Sequence, residues 1–551
     1  MIIYQVLTRL FGNDKTPSVP NGTKKQNGCG KMSDFTLKAL EEIRSLGATH
    51  IWYTGIIEHA TQTDYSAYGI RKDNPDVVKG KAGSAYAIKD YYDVDPDLAD
   101  KVPDRMTEFQ HLVDRTHKAG LKVIIDFVPN HVAREYHSDA CPKGTKDLGA
   151  DDNKKVAFSN QNNFYYLPGE TLHLNYIKPK STYKETPAKA TGNDVFSAWP
   201  GQNDWYETVK LNYGVDVCAG RVGHFSPIPD TWNKMLGILL FWAAKGIDGF
   251  RCDMAEMVPV EFWGWAIPQV KEAFPGIIFI AEVYNPAEYR SYLYRGYFDY
   301  LYDKVGLYDA LKAVAQGNAS AQSISSCWQH IHDIRPHMLN FLENHDEQRI
   351  ASDFFVGDAR KGRPLLLVSA LIYFSPFMVY FGQEFGERGM DEEGFSGLDG
   401  RTTIFDYWTV DTIRRWRNKG SFDGSLLSEE EQSLRQFYAD VLKLREQEPA
   451  LSEGRFFDLM YQNPSLHQQY VFTRKGKRSV VLVVANFSDA EQQMQICLPK
   501  HMFELWNIKE KESCTATDML TGKKQKIAFC SGKPLCINVH ALGGLVLKIG
   551  L

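Results

Sequence analysis

KVIIDFVPNH, residues 122–131, carries two signals at once. From Lys122 to Val128 the run is apolar at both odd and even positions, as in a parallel strand covered on both faces. It then ends in polar groups, Asp126, Asn130 and His131. Upstream, Asp104–Lys118 reads as a helix that ends at Gly120. Before that, Thr49–Tyr53 reads as a strand. Asp34–Leu46 reads as a helix with Leu37, Leu40, Ile43 and Leu46 on one face, and Ile2–Val6 as a first strand. Downstream the alternation continues: helix Ile228–Ala244, strand Ile247–Arg251, helix Glu261–Ala273, strand Ile277–Ala281. Further strands are expected at Phe298–Tyr302, Met338–Leu342 and Phe377–Phe381. Repeated βα units imply a parallel sheet, and roughly eight of them imply a (β/α)8 TIM barrel.

Two regions break the alternation. Residues 132–224 are polar and rich in Asn, Gly, Tyr and Lys. Structureless connections longer than about 12–15 residues are uncommon unless functional, so this stretch is expected to be a small domain inserted after the third strand. Beyond a helix at Glu429–Arg445, which Ser428 and Glu431 open as a capping box, the pattern becomes β-branched and alternating. Gln469–Thr473, Ser479–Asn486 and Ala541–Leu547 read as strands of a C-terminal antiparallel β-sandwich. The expected division is 1–131 with 225–450 as barrel, 132–224 as insert and 451–551 as β domain.

The bulk numbers exclude some function classes. The 551 residues carry 63 Lys and Arg against 68 Asp and Glu, a net charge of -5. No basic run of the kind nucleic acid demands is present. No run of about 18 apolar residues suggests a membrane span. The nine cysteines are an odd number in no CxxC pattern, which suits a reducing compartment. The opening MIIYQVLTRL lacks the features of a signal peptide, so a cytoplasmic protein is expected.

In a barrel of this kind, polar residues at the C-terminal ends of strands face the active site. Four strands end so: DFVPNH (126–131), GFRCD (249–253), AEV (281–283) and ENHDEQR (343–349). Glycosidic bond cleavage needs two carboxyl groups, one at the anomeric carbon and one carrying a proton to the leaving oxygen. Asp253 and Glu282 end consecutive strands, which lie about 4.8 Å apart in a sheet, a spacing compatible with retention of configuration. Arg251, two residues before Asp253, shares its face of the strand and would keep that aspartate ionised.

These four clusters, in order, resemble the signature regions of the α-amylase family, glycoside hydrolase family 13: DFVPNH, GFRCDMAEM (249–257), AEVY (281–284) and FLENHD (341–346). The resemblance spans the chain. AGSAYAIKDYYDVDP (82–96), KLNY (210–213) and DGRTTIFDYW (399–408) add to it. It implies Asp253 as nucleophile, Glu282 as acid and then base, and Asp346 as the residue binding the sugar 2- and 3-hydroxyls. It implies Arg251 as the group orienting Asp253, His131 and His345 as sugar contacts, Tyr86 as a stacking platform, and Asp126 as a carboxylate at the barrel top. Arg349 lies in the last cluster and is grouped with the substrate-binding residues. The family often has Lys-His after the nucleophile, contacting the leaving-group side; here those positions are Glu256 and Met257. In calcium-dependent members the His carbonyl and an Asn equivalent to Asn130 bind the ion, with Asp151 and Asp152 as further candidates. The chemistry itself needs no cofactor.

The expected activity is therefore α-1,4-glucosidic hydrolysis of starch, glycogen or maltodextrins, on an α-glucan oligosaccharide or polysaccharide. An α-glucosidase or 4-α-glucanotransferase would share the same carboxylates. A non-catalytic carbohydrate-binding protein would be expected to have lost them, and all three are present.

Overall fold

The computed structural model describes every residue except Asp391 and Glu393. Eight parallel strands close a barrel: Ile2–Leu7 (β1), His50–Thr54 (β2), Lys122–Phe127 (β3), Gly249–Cys252 (β4), Ile278–Ala281 (β5), Tyr300–Tyr302 (β6), Met338–Phe341 (β7) and Phe377–Tyr380 (β8). Each pairs with its sequence neighbour, and β1 closes the ring against β8 with Ile2 opposite Phe377. The apolar runs are explained by this closure, since strand side chains face either the barrel interior or the surrounding helices. Trp52, Trp242 and Trp263 are among the largest side chains with no effective exposure. Gly249 opens β4 where a side chain would crowd the next strand: a Cβ there would lie 2.6 Å from Ile278 Cγ1.

Element ends differ from the expected ones for local reasons. The first helix covers Leu37–Ser45, because the Thr36 side chain caps it by accepting from the Ala39 N–H. Asp34 instead accepts from the backbone N–H of Lys31 at 2.6 Å. The helix expected from Ile228 begins at Asp230, with Pro229 as its cap residue. Phe298 is buried outside β6 and packs its ring 4.8 Å from Trp263.

Between β3 and the helix that begins at Asp230, the insert forms short paired strands, such as His131–Ala133 against Thr208–Lys210 and Tyr166–Leu167 against Ala188–Lys189. A small apolar core of Leu172, Leu174, Ala188, Ala198 and Tyr206 holds this insert, joined by Val77 from the connection after β2. Buried Arg134 supplies the polar centre, 2.7 Å from Glu185 Oε1 and bonded to the carbonyls of Tyr206 and Thr208.

The C-terminal strands are Arg455–Asp458 (β9), Gln469–Lys475 (β10), Ser479–Asn486 (β11), Gln492–Ile496 (β12), Lys511–Asp518 (β13), Lys524–Phe529 (β14), Leu535–Val539 (β15) and Gly543–Gly550 (β16). They form an antiparallel six-stranded sheet, β9-β10-β11-β16-β13-β14, and a two-stranded one, β12-β15. The helix Gly362–Leu371, buried along its length, separates this layer from the barrel. Arg474 on β10 pins the junction by donating to the carbonyls of Leu371, Leu451 and Gly454. All nine cysteines are free thiols. Among the described residues no helix is long and apolar enough to cross a membrane.

The capping box expected at Ser428 is present: Ser428 Oγ accepts from the Glu431 N–H, and Glu431 accepts in return from the Ser428 N–H at 2.7 Å. Ser428→Ala should cost about 1 kcal/mol, read as a lowered urea midpoint. An unchanged midpoint would show that the box contributes nothing to stability.

Candidate active site

The barrel strands deliver their polar ends to one cleft of about 640 Å³. Its floor is organised by Arg251, which is fully buried. Arg251 Nη1 lies 2.7 Å from Asp253 Oδ1 and 3.5 Å from Asp126 Oδ1, and Nη2 lies 2.8 Å from Glu282 Oε2. Its Nε donates to the Tyr302 hydroxyl at 3.1 Å. The rings of Trp52, Tyr86 and Tyr302 lie 5.1–5.5 Å from the guanidinium carbon, within cation–π range. Asp126, at the end of β3, is held in turn by Trp52 Nε1 at 2.9 Å and by the Tyr86 hydroxyl at 3.3 Å.

Asp253 follows β4 directly, its N–H bonded to Phe127 O on the neighbouring strand. Glu282 follows β5, its N–H bonded to Cys252 O. The backbone then turns sharply. Met254 adopts φ 42°, ψ 42°, a left-handed conformation that non-glycine residues rarely adopt and that clusters at functional sites. This turn aims the Met254 N–H at Glu282 Oε2, 2.8 Å away. The Tyr284 hydroxyl donates to the other oxygen, Oε1.

Asp346 sits in the loop after β7, which Asn344 shapes by accepting from the N–H groups of residues 346 and 347. Gln5 Nε2 donates to His345 Nδ1 at 2.8 Å, leaving His345 Nε2–H to face Asp346 Oδ2 at 3.0 Å. Tyr86 stacks on His345 with ring centroids 4.9 Å apart. Tyr86 is placed by the turn at Gly83, where φ is +81° and a Cβ would collide with Ala60 O.

Electrostatics separate the carboxyl groups. Burial, then the charge of Glu282, push Asp253 well above the ordinary carboxylate range, against the pull of Arg251. With a second carboxyl, Glu282, on the same guanidinium, Asp253 keeps a proton that a free acid would lose. Desolvation also acts on Asp346, but His345 and the arginines Arg251 and Arg401 outweigh it and hold it down at about 2. Burial, and then Lys210, lower His131 to about 3, so it faces the cleft as a neutral imidazole.

Asp253, Glu282, Asp346, Tyr86, His131 and His345 all line the cleft. Arg251 and Asp126 stand beneath it. Two expected substrate contacts are elsewhere. Glu256 does not line the cleft; its Oε2 accepts from the backbone N–H groups of Tyr284 and Asn285 at 3.1 and 3.0 Å, clamping the loop after β5. Arg349 is buried behind the loop after β7, paired with Glu343 at 2.8 Å and bonded to Thr402. Both point away because unmet backbone and carboxylate groups nearby claim them. Asn130 Oδ1 accepts from Lys210 Nζ at 2.6 Å. Asp151 is exposed and paired with Lys146, and Asp152 accepts from the N–H groups of Asn163 and Phe164.

The lining also includes groups outside the expected set, among them Tyr284, Trp205 and the Lys79–Glu207 pair. Tyr284 was legible in principle, because it is two residues past Glu282 in an extended segment and so shares its face. Trp205, 5.1 Å from the His131 ring, and the Lys79–Glu207 pair at 2.9 Å come from segments without periodicity.

The sequence profile described as "Alpha amylase, catalytic domain" matches residues 22–454. Neopullulanase 2 of Thermoactinomyces vulgaris is 20% identical over 521 residues, 92% of this chain and 72% of its own length. A cyclomaltodextrinase from a Bacillus species is 23% identical over 513 residues, 90% of this chain and 74% of its own. Among solved structures, a maltogenic α-amylase, AmyB, from Thermotoga neapolitana superposes with a TM-score of 0.62 at 18% identity, covering 100% of this chain and 99% of that one. At these identities the structural likeness speaks for the fold.

Arg251→Lys should leave two buried carboxyls sharing a single ammonium that cannot fork between them. Breaking a buried pair costs about 3–5 kcal/mol, so a lower unfolding temperature is expected, with turnover reduced at least roughly a hundredfold. Calorimetry and initial rates check this; wild-type turnover in a stable variant would contradict it.

Proposed function

Because the chain belongs to the α-amylase family, and is therefore a glycoside hydrolase acting on α-glucans, we propose that it cleaves α-1,4-glucosidic bonds of starch, glycogen or maltodextrins with retention of configuration. The observation that carries this reading is the placement of Asp253 and Glu282 on two nitrogens of one buried guanidinium. Carboxylates that share such a fork lie on the order of 5 Å apart, the range of retaining enzymes rather than the wider gap that admits a water in inverting ones.

Asp253 attacks the anomeric carbon as the carboxylate, its proton having moved to Glu282 across the guanidinium they share. Glu282 gives the pair's proton to the leaving oxygen. Once a glycosyl-aspartate has formed, Glu282 takes a proton from water, which releases the sugar and restores Asp253. Asp346, ionised far below neutrality, holds the 2- and 3-hydroxyls together with His345 Nε2–H. Neutral His131 can donate a hydrogen bond to the same sugar without adding charge, while Tyr86 presents its ring from below. None of these steps calls on a cofactor.

A second reading within the family is hydrolysis of cyclomaltodextrins and short maltooligosaccharides. The names of the two long-matching relatives favour it. α-Glucosidase or 4-α-glucanotransferase action would use the same three carboxylates.

Digestion of maltoheptaose, β-cyclodextrin, pullulan and glycogen, followed by chromatography and by proton NMR of fresh products, separates these readings. Mixed maltooligosaccharides released first as α-anomers are expected. Glucose alone would exclude endo-hydrolysis, and β-anomers would exclude retention. Asp253→Asn and Glu282→Gln should each lower turnover by at least about a thousandfold while maltooligosaccharide binding, measured by calorimetry, survives. The pH profile offers a further check. Activity needs this proton and should fall as pH rises through the raised pKa of Asp253. The Tyr284 hydroxyl stabilises the deprotonated pair, so Tyr284→Phe should move the alkaline limb to higher pH. A limb that stays in place would deny Tyr284 that role.

A further inference from the structure

The insert meets the barrel at a buried ammonium group. Lys210 ends the short strand Thr208–Lys210, which pairs with the chain just after β3, Lys210 lying opposite His131. Its side chain is 4% exposed. Nζ lies 2.6 Å from Asn130 Oδ1, 2.6 Å from Asp194 Oδ1 and 3.4 Å from the carbonyl oxygen of Met257. An ammonium has three N–H donors, and three oxygens receive them. The three acceptors come from different parts of the chain: the end of β3, the insert, and the loop four residues past Asp253.

Two of these oxygens, Asn130 Oδ1 and the carbonyl at position 257, are the atoms that the family resemblance offers to a calcium ion. The arrangement does not fit such an ion. Calcium takes six to eight oxygens at about 2.3–2.6 Å, which would place it where Nζ stands, against a fixed positive charge. Among the described residues no group of three or more His, Cys, Asp and Glu side chains is gathered to hold a metal. The single carboxylate present, Asp194, is already shared between Lys210 and Arg221 Nη1 at 3.1 Å.

We propose that the Lys210 ammonium is this protein's own structural cation, replacing calcium at the junction of insert and barrel, and that Lys210 acts as a positioning residue for His131. The route to His131 is short. Asn130 spends Oδ1 on Lys210, and its Nδ2 donates to Gly192 O at 2.8 Å and lies 3.2 Å from His131 Nδ1. The ammonium thus fixes the rotamer of Asn130, and Asn130 fixes the imidazole that faces the sugar. The same charge reaches the loop after Asp253 through the Met257 carbonyl. A covalently attached cation cannot be lost by dilution or chelation, so this junction holds without any metal in the medium.

Metal content and thermal unfolding test the proposal independently of which glucan bond is cleaved. The purified full chain is dialysed, assayed for metals by elemental analysis, and unfolded in EDTA and in millimolar calcium chloride. Substoichiometric calcium and the same unfolding temperature in both media are expected. Stoichiometric calcium, with a lower unfolding temperature after chelation, would overturn the proposal. Lys210→Ala vacates the position and leaves Asp194 and Asn130 facing it. In EDTA it should unfold about 5 °C or more below wild type, as expected for a broken buried pair, and added calcium should recover part of that loss. A variant as stable as wild type in EDTA would also overturn the proposal. Lys210→Met keeps the volume without the charge. Its KM for maltoheptaose should rise several-fold with a smaller change in kcat, the signature of a displaced sugar contact. A KM equal to wild type would remove the link to His131.

Discussion

A single guanidinium holds the floor of the cleft together. Arg251 is fully enclosed, and three carboxyl groups from three neighbouring strands, Asp126, Asp253 and Glu282, converge on it. Three buried carboxylates would repel one another severely without it, and one arginine without them would be an unpaired buried charge. Neither side of this arrangement is stable alone. The strand order β3-β4-β5 exists for the site in this sense: adjacent strands are the shortest way to bring three acids around one planar cation. Trp52, Tyr86 and Tyr302 complete the enclosure with ring faces and two hydroxyls, and they keep water from weakening it.

The same group sets the proton inventory. One positive charge cannot fully offset the carboxyls around it in a desolvated cleft, so Asp253, beside Glu282, keeps a proton above the usual carboxylate range. Asp346, which faces His345 and is partly open to solvent, takes the opposite course and stays ionised. A cleft with one retained proton and one anion suits the acid-assisted displacement at an acetal carbon that we propose. The fold could host many chemistries; this charge pattern narrows them.

Most of the cleft floor was legible in the amino-acid sequence because barrel strands are short, apolar and regularly spaced, so a polar residue at a strand end stands out. Asp126, Asp253, Glu282 and Asp346 were found that way. What was not legible depends on contacts across long separations. Glu256 sits three residues past Asp253, and only the fold shows that the N–H groups of residues 284 and 285 claim its carboxylate. Arg349 belongs by position to a site cluster, yet Glu343 six residues away holds it behind the loop. The insert, residues 132–224, has almost no periodicity, and its elements are two or three residues long. Trp205 therefore carried no signal, although it lines the cleft, and Lys210 stood out only as the first residue of KLNY, with nothing to show that it anchors Asn130.

The central claim is that Asp253 attacks the anomeric carbon and becomes glycosylated. The most direct measurement is intact-protein mass spectrometry of the Glu282→Gln variant after exposure to a 5-fluoro-α-glucosyl fluoride, followed by peptide mapping. The account predicts a chain heavier by one fluorinated hexosyl unit, with the sugar on the peptide containing Asp253 and absent when Asp253 is replaced by Asn. A sugar attached to any other residue, or an adduct that persists in the Asp253→Asn background, would contradict it.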